Sequence, residues 1–256
     1  MIADAALAVL ARAPVPGAVK TRLVGRHVSA VGAAAVHEAF TLDVLDRHGA
    51  EWAARTLWVA VSSLDAPEAE AVVRTARGGG WDVVLQPDGD LGARIAAAVD
   101  GGLVHSAVAV VIGTDSPNLP DGHFAAAVDA LRTHDVALSP ADAGGFTLIA
   151  ARAPCPWLSQ VEGWGTEHAL QRVEVVAARH GVSTVRVAPW YDVDNVADLA
   201  RLRVDCERER GAALARTRAL LRGLDLTTLD GDTARLSATE RARSSSKRER
   251  RRSGCS

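Results

Sequence analysis

Short apolar runs alternate with amphipathic, alanine-rich stretches along most of the chain. AALAVLA (5–11), TLWVAVS (56–62), DVVLQ (82–86), AVAVVIG (107–113) and DVALS (135–139) have the length and apolar continuity of buried strands. Between them, 29–48, 66–77, 91–104 and 121–132 show helical spacing. Asp65 with Glu68 three residues on resembles a capping box, with Pro67 in the turn it starts. Pro120 suits the first turn of the helix that follows Asp115. GFTLIAA (145–151) and STVRVAP (183–189) add two strands around a helix beginning near Thr166. A last long helix is expected from about Asn195 to Leu224. Strand and helix alternating in this way predict an α/β fold: a three-layer α/β/α sandwich on a mostly parallel sheet, Rossmann-like in organisation. Near-continuous apolar strands fit a sheet covered on both faces.

From about residue 225 the apolar period is lost and Arg and Lys cluster at the end. The expected organisation is one α/β domain over 1–224, ending in the long helix, and a disordered basic tail over 225–256. Contact with nucleic acid is confined, on this reading, to that tail. There is no internal repeat.

Composition narrows the class without naming a chemistry. Of the 256 residues, 48% are hydrophobic and 23% charged, ample for a real core. A net charge of −2 gives no general attraction to nucleic acid or anionic membrane. Cys155, Cys206 and Cys255 are far apart with no CxxC pair, neither a zinc pattern nor a disulfide framework. No stretch is long and apolar enough to span a membrane, and the N-terminus lacks the basic start of a signal peptide. The expectation is a cytoplasmic protein.

Ligands of an open parallel sheet collect beyond the carboxyl ends of its strands, so the residues just after each strand carry the information. After the first comes ARAPVPGAVKTRL, which sets Arg12, Lys20 and Arg22 around two prolines and Gly17. Three cations on one loop beside exposed backbone N–H groups read as a cradle for phosphate oxygens; a solvated basic loop is the competing reading. Neither GxxxxGK[ST] nor GxGxxG is present. After the third strand comes QPDGDLGARI, with Asp88 and Asp90 in a glycine turn, Gly92 and Arg94 opening the next helix, and Gln86 at the strand end. Asp90 reads as that helix's N-cap. Gln86 suits a base or sugar, or equally a loop carbonyl.

VAVVIGTDSPNLP places Asp115 at the exit of an apolar strand. A carboxylate there either caps the next helix or holds a hard cation such as Mg²⁺ or Mn²⁺, which takes oxygen ligands together with substrate phosphates. Further acids follow: Asp142 in SPADAGG, Glu167 in GWGTEHAL, and Asp192 and Asp194 in YDVDNVADL. Asp194 reads as a second metal ligand or as the cap of the final helix, and Glu167 as a catalytic acid or a first-turn residue of its own helix. None of the eight histidines forms HxH or HExxH, and His37 and His168 are read as ordinary surface residues. Trp164, beside Gly165 and Thr166, is the tryptophan placed near a ligand; Trp52, Trp58 and Trp81 read as packing.

Taken in order, ARAPVPGAVKTRL, QPDGDLGARI, VIGTDSPNLP, SPADAGGFTLIA, GWGTE and YDVDNVADL resemble the bacterial DUF2064 family of GT-A-like proteins over about residues 5–202. That family is labelled as glycosyltransferases, some members being linked with arsenosugar biosynthesis. The resemblance implies the nucleotide-diphospho-sugar transferase fold and kinship with nucleotidyltransferases. It assigns Arg12, Lys20 and Arg22 to phosphate, Gly92 and Arg94 to the nucleotide side, and Asp115 to the metal. Trp164, Gly165, Thr166 and Glu167 fall on the acceptor side, and Asp192 and Asp194 on the far edge. Asp115, Asp142 and Glu167 are the candidate catalytic acids, with Mg²⁺ or Mn²⁺ at Asp115 and Asp194.

One departure stands out: where the family reads DGGYYLIG, this chain has Ala143-Gly144-Gly145-Phe146-Thr147-Leu148-Ile149-Ala150. The implied function is metal-dependent transfer from a nucleotide-activated sugar to a small-molecule acceptor. The alternatives are a nucleotidyltransferase that releases pyrophosphate from a nucleoside triphosphate, and a degenerate nucleotide-binding protein without turnover.

Overall fold

The computed structural model describes residues 2–49, 51–208 and 213–224. Its strands are β1 (Ala5–Arg12), β2 (Ala54–Ala60), β3 (Asp82–Leu85), β4 (Val108–Ile112), β5 (Val136–Pro140), β6 (Phe146–Ala151) and β7 (Thr184–Arg186). They form one seven-stranded sheet in the order β3-β2-β1-β4-β6-β5-β7. All neighbours are parallel except β6, which runs antiparallel to both β4 and β5. The chain winds outward from β1 to β2 and β3, then returns to place β4 on the other side of β1. That reversal opens a crevice at the carboxyl ends of β1 and β4.

The expected strands all form; the central ones, β1, β4, β5 and β6, bury both faces, whereas β3 at the edge is largely exposed. In β1, Ala5, Leu7, Val9 and Ala11 pack into one core and Ala8 into the other. In β4, Val110 and Ile112 face one way and Ala109 and Val111 the other. One layer is built from α1 (Ala30–Arg47), α2 (Glu70–Gly78) and α4 (Asp121–Ala130), which bring Val44, Val72 and Phe124 onto the sheet. The opposite layer is α3 (Leu91–Leu103) and α5 (Ala169–Arg179), with Ile95, Val99 and Val173. A third cluster lies outside this sandwich: α6 (Val196–Arg208) and α7 (Ala215–Gly223) bury Leu199, Leu202 and Leu221 against Val36 and Phe40 of α1. Among the described residues no helix is long and apolar enough to cross a membrane.

Helix starts show which local signals act. Ser29 accepts from the Gly32 N–H at 3.0 Å and Asp90 from the Ala93 N–H at 2.8 Å, so both are N-caps. At α6, Asn195 accepts from Ala197 and Asp198, and Asp198 accepts in return from the Asn195 N–H at 3.0 Å. This reciprocal capping box takes the role expected of Asp194. The box read at Asp65 and Glu68 does not form. Ala66 instead heads a short 3-10 turn, Pro67–Ala69, and the Asp65 N–H donates to Ser63 Oγ. Pro120 sits just before α4, and the helix expected from Thr166 begins at Ala169.

The single final helix is corrected to two. Leu214 takes a left-handed backbone (φ 57°) immediately before α7 and is buried among the α1 and α6 side chains. Asp43 of α1 accepts from the Arg216 and Thr217 N–H groups at 3.2 and 2.8 Å, a cap supplied from across the fold. Tertiary burial and capping here outweigh continuous helical propensity. The expectations for 225–256, including Cys255, lie outside the described residues.

Candidate active site

The loop after β1 is anchored by its apolar residues and leaves its polar ones at the crevice. Ala13, Val19 and Leu23 are buried. Between them Val15-Pro16-Gly17-Ala18 makes a turn closed by Ala18 N–H to the Val15 carbonyl at 3.0 Å, with Gly17 at φ 82°. Proline second and a positive-φ glycine third are the requirements of a type II turn. Gly17 therefore shapes the loop and does not line the crevice.

Lys20, also left-handed at φ 47°, heads the 3-10 turn Thr21–Leu23. Its side chain runs inward, and Nζ lies 2.5 Å from Asp115 Oδ1 and 2.6 Å from the Val193 carbonyl. The basic loop and the strand-end acid thus meet at one point, at the carboxyl ends of neighbouring parallel strands.

Around that contact lies a cleft of about 540 Å³ with a smaller annex of about 180 Å³. Arg12, His37, Asp115 and Asp194 line both. The annex adds Lys20, Thr21 and Arg22, giving it a cationic wall. The larger chamber has an apolar wall that includes Leu10, Leu91, Ile95, Phe146 and Trp164. Phe146 and Trp164 meet edge to face, with ring centroids 6.2 Å apart.

A strap after β7 closes the far edge. Val193 N–H donates to the Asp115 carbonyl at 2.8 Å, and Ser116 Oγ lies 2.8 Å from Asp192 Oδ1 and 2.9 Å from the Tyr191 carbonyl. Behind it the buried Tyr191 hydroxyl donates to Asp205 at 2.6 Å and accepts from Asn118 at 2.7 Å, tying α6 to the loop that carries Asp115. Asp194 pairs with Arg22 at 2.7 Å.

The charges in this site perturb one another. Partial desolvation in the cleft would raise the half-exposed Asp115 carboxyl, but Lys20, His37 and Arg12 together hold it below the usual range. Asp192 is pushed up to about 6, by burial first and then by Asp115 and Asp194. Burial, reinforced by Lys20 and Arg12, lowers His37, whose Nε2–H donates to the Arg12 carbonyl at 3.0 Å. Such perturbed groups gathered in a cleft make this the candidate functional site.

Several expected residues are here and several are not. Arg12, Lys20, Arg22, Asp115 and Asp194 converge, and Arg94, Trp164, Gly165 and Thr166 line the chamber. Asp192, placed only at the far edge from sequence, is part of the acidic cluster. Gly92 is a packing residue: a Cβ there would stand 2.1 Å from the Leu158 carbonyl oxygen.

Gln86 lines the chamber but spends its amide on structure. Nε2 donates to the Ala11 and Trp58 carbonyls at 2.8 and 2.9 Å, and Oε1 accepts from Arg94 at 3.3 Å. Of its two readings, the carbonyl-satisfying one holds. Asp142 is exposed at the β5–β6 turn, bound to Arg201 at 2.9 Å, and lines neither space. Glu167 is also exposed, next to His168, and lines neither. Neither acid is brought to Asp115, because the tight turn Ala141–Gly145 and the loop before α5 direct them outward.

His37, read as a surface residue, is 5% exposed and lines both spaces. The signal that would have found it is its place on the buried stripe of α1, with Ala33, Ala34, Val36 and Phe40. Ser116 and Thr147 also line the chamber and were not singled out. Among the described residues no group of three or more His, Cys, Asp or Glu side chains is arranged to hold a metal ion.

Comparison with known proteins agrees with this architecture. The family model "Uncharacterized protein conserved in bacteria (DUF2064)" matches residues 45–166. Among solved structures, a protein from Desulfovibrio desulfuricans G20 assigned to the nucleotide-diphospho-sugar transferases is 27% identical, with a TM-score of 0.70, covering 86% of this chain and 97% of that one. A cytidylyltransferase from Leptospira borgpetersenii is 11% identical with a TM-score of 0.52, covering 86% and 94%. A nucleotidyl transferase from Methanothermobacter thermautotroptrophicus is 15% identical with a TM-score of 0.50, covering 80% and 99%. The last two likenesses are of fold alone. No curated protein matches the chain. Residues 45–166 thus match the DUF2064 family model, and the chain has the fold of the solved nucleotide-diphospho-sugar transferase it resembles.

Proposed function

We propose that this protein is a transferase that takes its group from a nucleotide-activated sugar, holding the diphosphate in the cationic annex and the rest of the donor in the apolar-walled chamber. One observation carries the reading: a cationic annex and an acidic, partly apolar cleft share Arg12, His37, Asp115 and Asp194 at the strand-order reversal. Arg12, Lys20 and Arg22 bind phosphate oxygens and disperse the charge that develops on a departing diphosphate. Leu10, Phe146 and Trp164 shield the reacting end from water.

A divalent cation fits this site as one that the substrate completes. Asp115 supplies a half-exposed carboxylate where annex and chamber join, with Asp194 nearby on the same annex wall. Mg²⁺ and Mn²⁺ are commonly held by one or two carboxylates plus substrate phosphates, so a three-acid cage is not required. Bound there, the cation would neutralise the phosphates of the leaving group.

The cations give a specific reason to keep nucleotidyl transfer as the second reading, since three of them match a triphosphate better than a diphosphate. A protein without turnover is the weaker reading. Ala143, which replaces the family's acid, is exposed on the β5–β6 turn and lines neither space, whereas Asp115, Asp192 and Asp194 all line the chamber.

The test is a thermal-shift screen of sugar nucleotides and nucleoside triphosphates with Mg²⁺ or Mn²⁺, followed by phosphorus NMR of the ligands that raise the melting point. Nucleoside diphosphate released from a sugar nucleotide supports the first reading, and pyrophosphate from a triphosphate the second. If no nucleotide of either class raises the melting point, both fail.

A further inference from the structure

Lys20 is one of two non-glycine residues with a left-handed backbone among the described residues. That conformation is strained for an L side chain and survives only where its surroundings hold it. What holds it is the far end of the side chain. The residue's side chain is 4% exposed, with Nζ on Asp115 Oδ1 and the Val193 carbonyl and 5.4 Å from the centre of the Phe40 ring. An ammonium so enclosed needs a counter-charge, and Asp115 provides it.

The same two groups have separate duties in the proposed reaction, Lys20 toward phosphate and Asp115 toward a divalent cation. While they are bonded to each other, Lys20 is withheld from phosphate and Asp115 Oδ1 is withheld from a cation. An ammonium already sits on Asp115 Oδ1, so a metal ion approaching that oxygen meets a like charge at contact distance.

We propose that the Lys20–Asp115 pair is a lock joining the two subsites: phosphate oxygens in the annex draw Lys20 away, and only then does Asp115 open to a divalent cation. The inference rests on the proposed function and adds an order to it. Polyphosphate and cation bind with positive coupling, and the cation alone binds weakly. Arg12, Thr21 and Arg22, which line the annex beside Lys20, hold the incoming anion while Lys20 changes partner. Exchange of one counter-charge for another keeps the ammonium paired throughout.

The experiment is a titration of Mn²⁺ into the full chain, followed by electron paramagnetic resonance, with and without inorganic phosphate. It is repeated for Lys20→Gln and Arg12→Gln after their melting points confirm folding. Arg12 lines the same annex and acts on Asp115 only through space, so its variant measures simple relief of charge. Phosphate should tighten Mn²⁺ binding to the wild type about tenfold, and Mn²⁺ should tighten phosphate by the same factor. Lys20→Gln should bind Mn²⁺ alone about tenfold better than the wild type, and Arg12→Gln should gain much less. The lock is overturned if phosphate binds the wild type but leaves its Mn²⁺ affinity unchanged, a result that needs no variant. It is equally overturned if Lys20→Gln gains nothing or if Arg12→Gln gains as much. Failure of the wild type to bind phosphate at all removes the functional reading together with the lock.

Discussion

Ser116, the chain neighbour of Asp115, donates its hydroxyl toward Asp192 across 2.8 Å and so fixes the acidic strap to the end of β4. Asp192 is raised to about 6 mainly because it is buried, with Asp115 and Asp194 adding like charge. Its raised pKa means that it favours the folded state when protonated. That contribution is complete below the unfolded value near 3.8 and is lost as pH rises through about 6. At neutral pH the charged form is a cost carried by the fold. Asp192→Asn keeps an oxygen acceptor for Ser116 and removes the charge. It should raise stability at pH 7 by about 1–3 kcal/mol, and the gain should vanish near pH 4. Urea unfolding at both pH values measures this; equal stability of variant and wild type at pH 7 would show that the strap pays nothing for the carboxylate.

Gly144 accepts a hydrogen bond from the Leu170 N–H at 3.0 Å, which docks the β5–β6 turn on the start of α5. Its φ is 88°, and a Cβ there would stand 2.0 Å from the Glu167 carbonyl oxygen. Backbone opposes backbone, so no side chain can give way. Gly144→Ala should lose more than about 1 kcal/mol through the left-handed backbone alone, and further through the displaced contact. Gly145→Ala, which has an ordinary φ and no neighbour within 4 Å, should stay within about 0.5 kcal/mol of the wild type. Equal losses in the two would refute the close-approach explanation.

His48 packs edge to face on Trp52 and Phe124, with ring centroids 6.1 and 4.9 Å away. Burial first, then Arg47, lowers its pKa to about 4, against the opposing pull of Asp121 and Glu51. The neutral ring is therefore the folded form. In the unfolded chain it protonates near 6.5, so its contribution is full above that pH and is lost as pH falls toward about 4. The effect reaches up to about 3 kcal/mol. His48→Gln should be less stable than the wild type at pH 7, and the difference should shrink steadily between pH 6.5 and 4. A constant difference across that range would contradict the assignment.

Much of the fold was legible because the central strands had to bury two faces, which made AALAVLA and VAVVI nearly continuous apolar runs. The convergence of Lys20 with Asp115 followed from the rule that strand ends share an edge, once the parallel order was inferred. Side-chain direction inside turns was not legible. Asp142 and Glu167 occupy the right loops, yet a tight turn sends one to Arg201 and the other outward beside His168. His37 was missed for the reverse reason: its spacing puts it on the buried stripe of α1, but its polar side chain was read as a surface residue. The break at Leu214 was hidden because it depends on Asp43, roughly 170 residues away in the chain, which no local pattern reports.

Gln86 separates two accounts of the chamber. If its amide reads a nucleotide directly, replacing it alters which base binds and leaves the fold alone. The structure instead commits both amide N–H groups to the ends of β1 and β2, through Ala11 and Trp58, and leaves the oxygen to steady Arg94. Gln86→Leu should strip two partly buried carbonyls of their donor, costing about 1–3 kcal/mol. Arg94, released from its partner, should hold the ligand less firmly, so affinity falls for all nucleotides in similar proportion. Denaturant unfolding together with binding to several bases decides between the two. A stable variant with a changed base preference would make Gln86 a reader of the nucleotide, and an unstable one with an unchanged preference confirms it as the brace between two strands and Arg94.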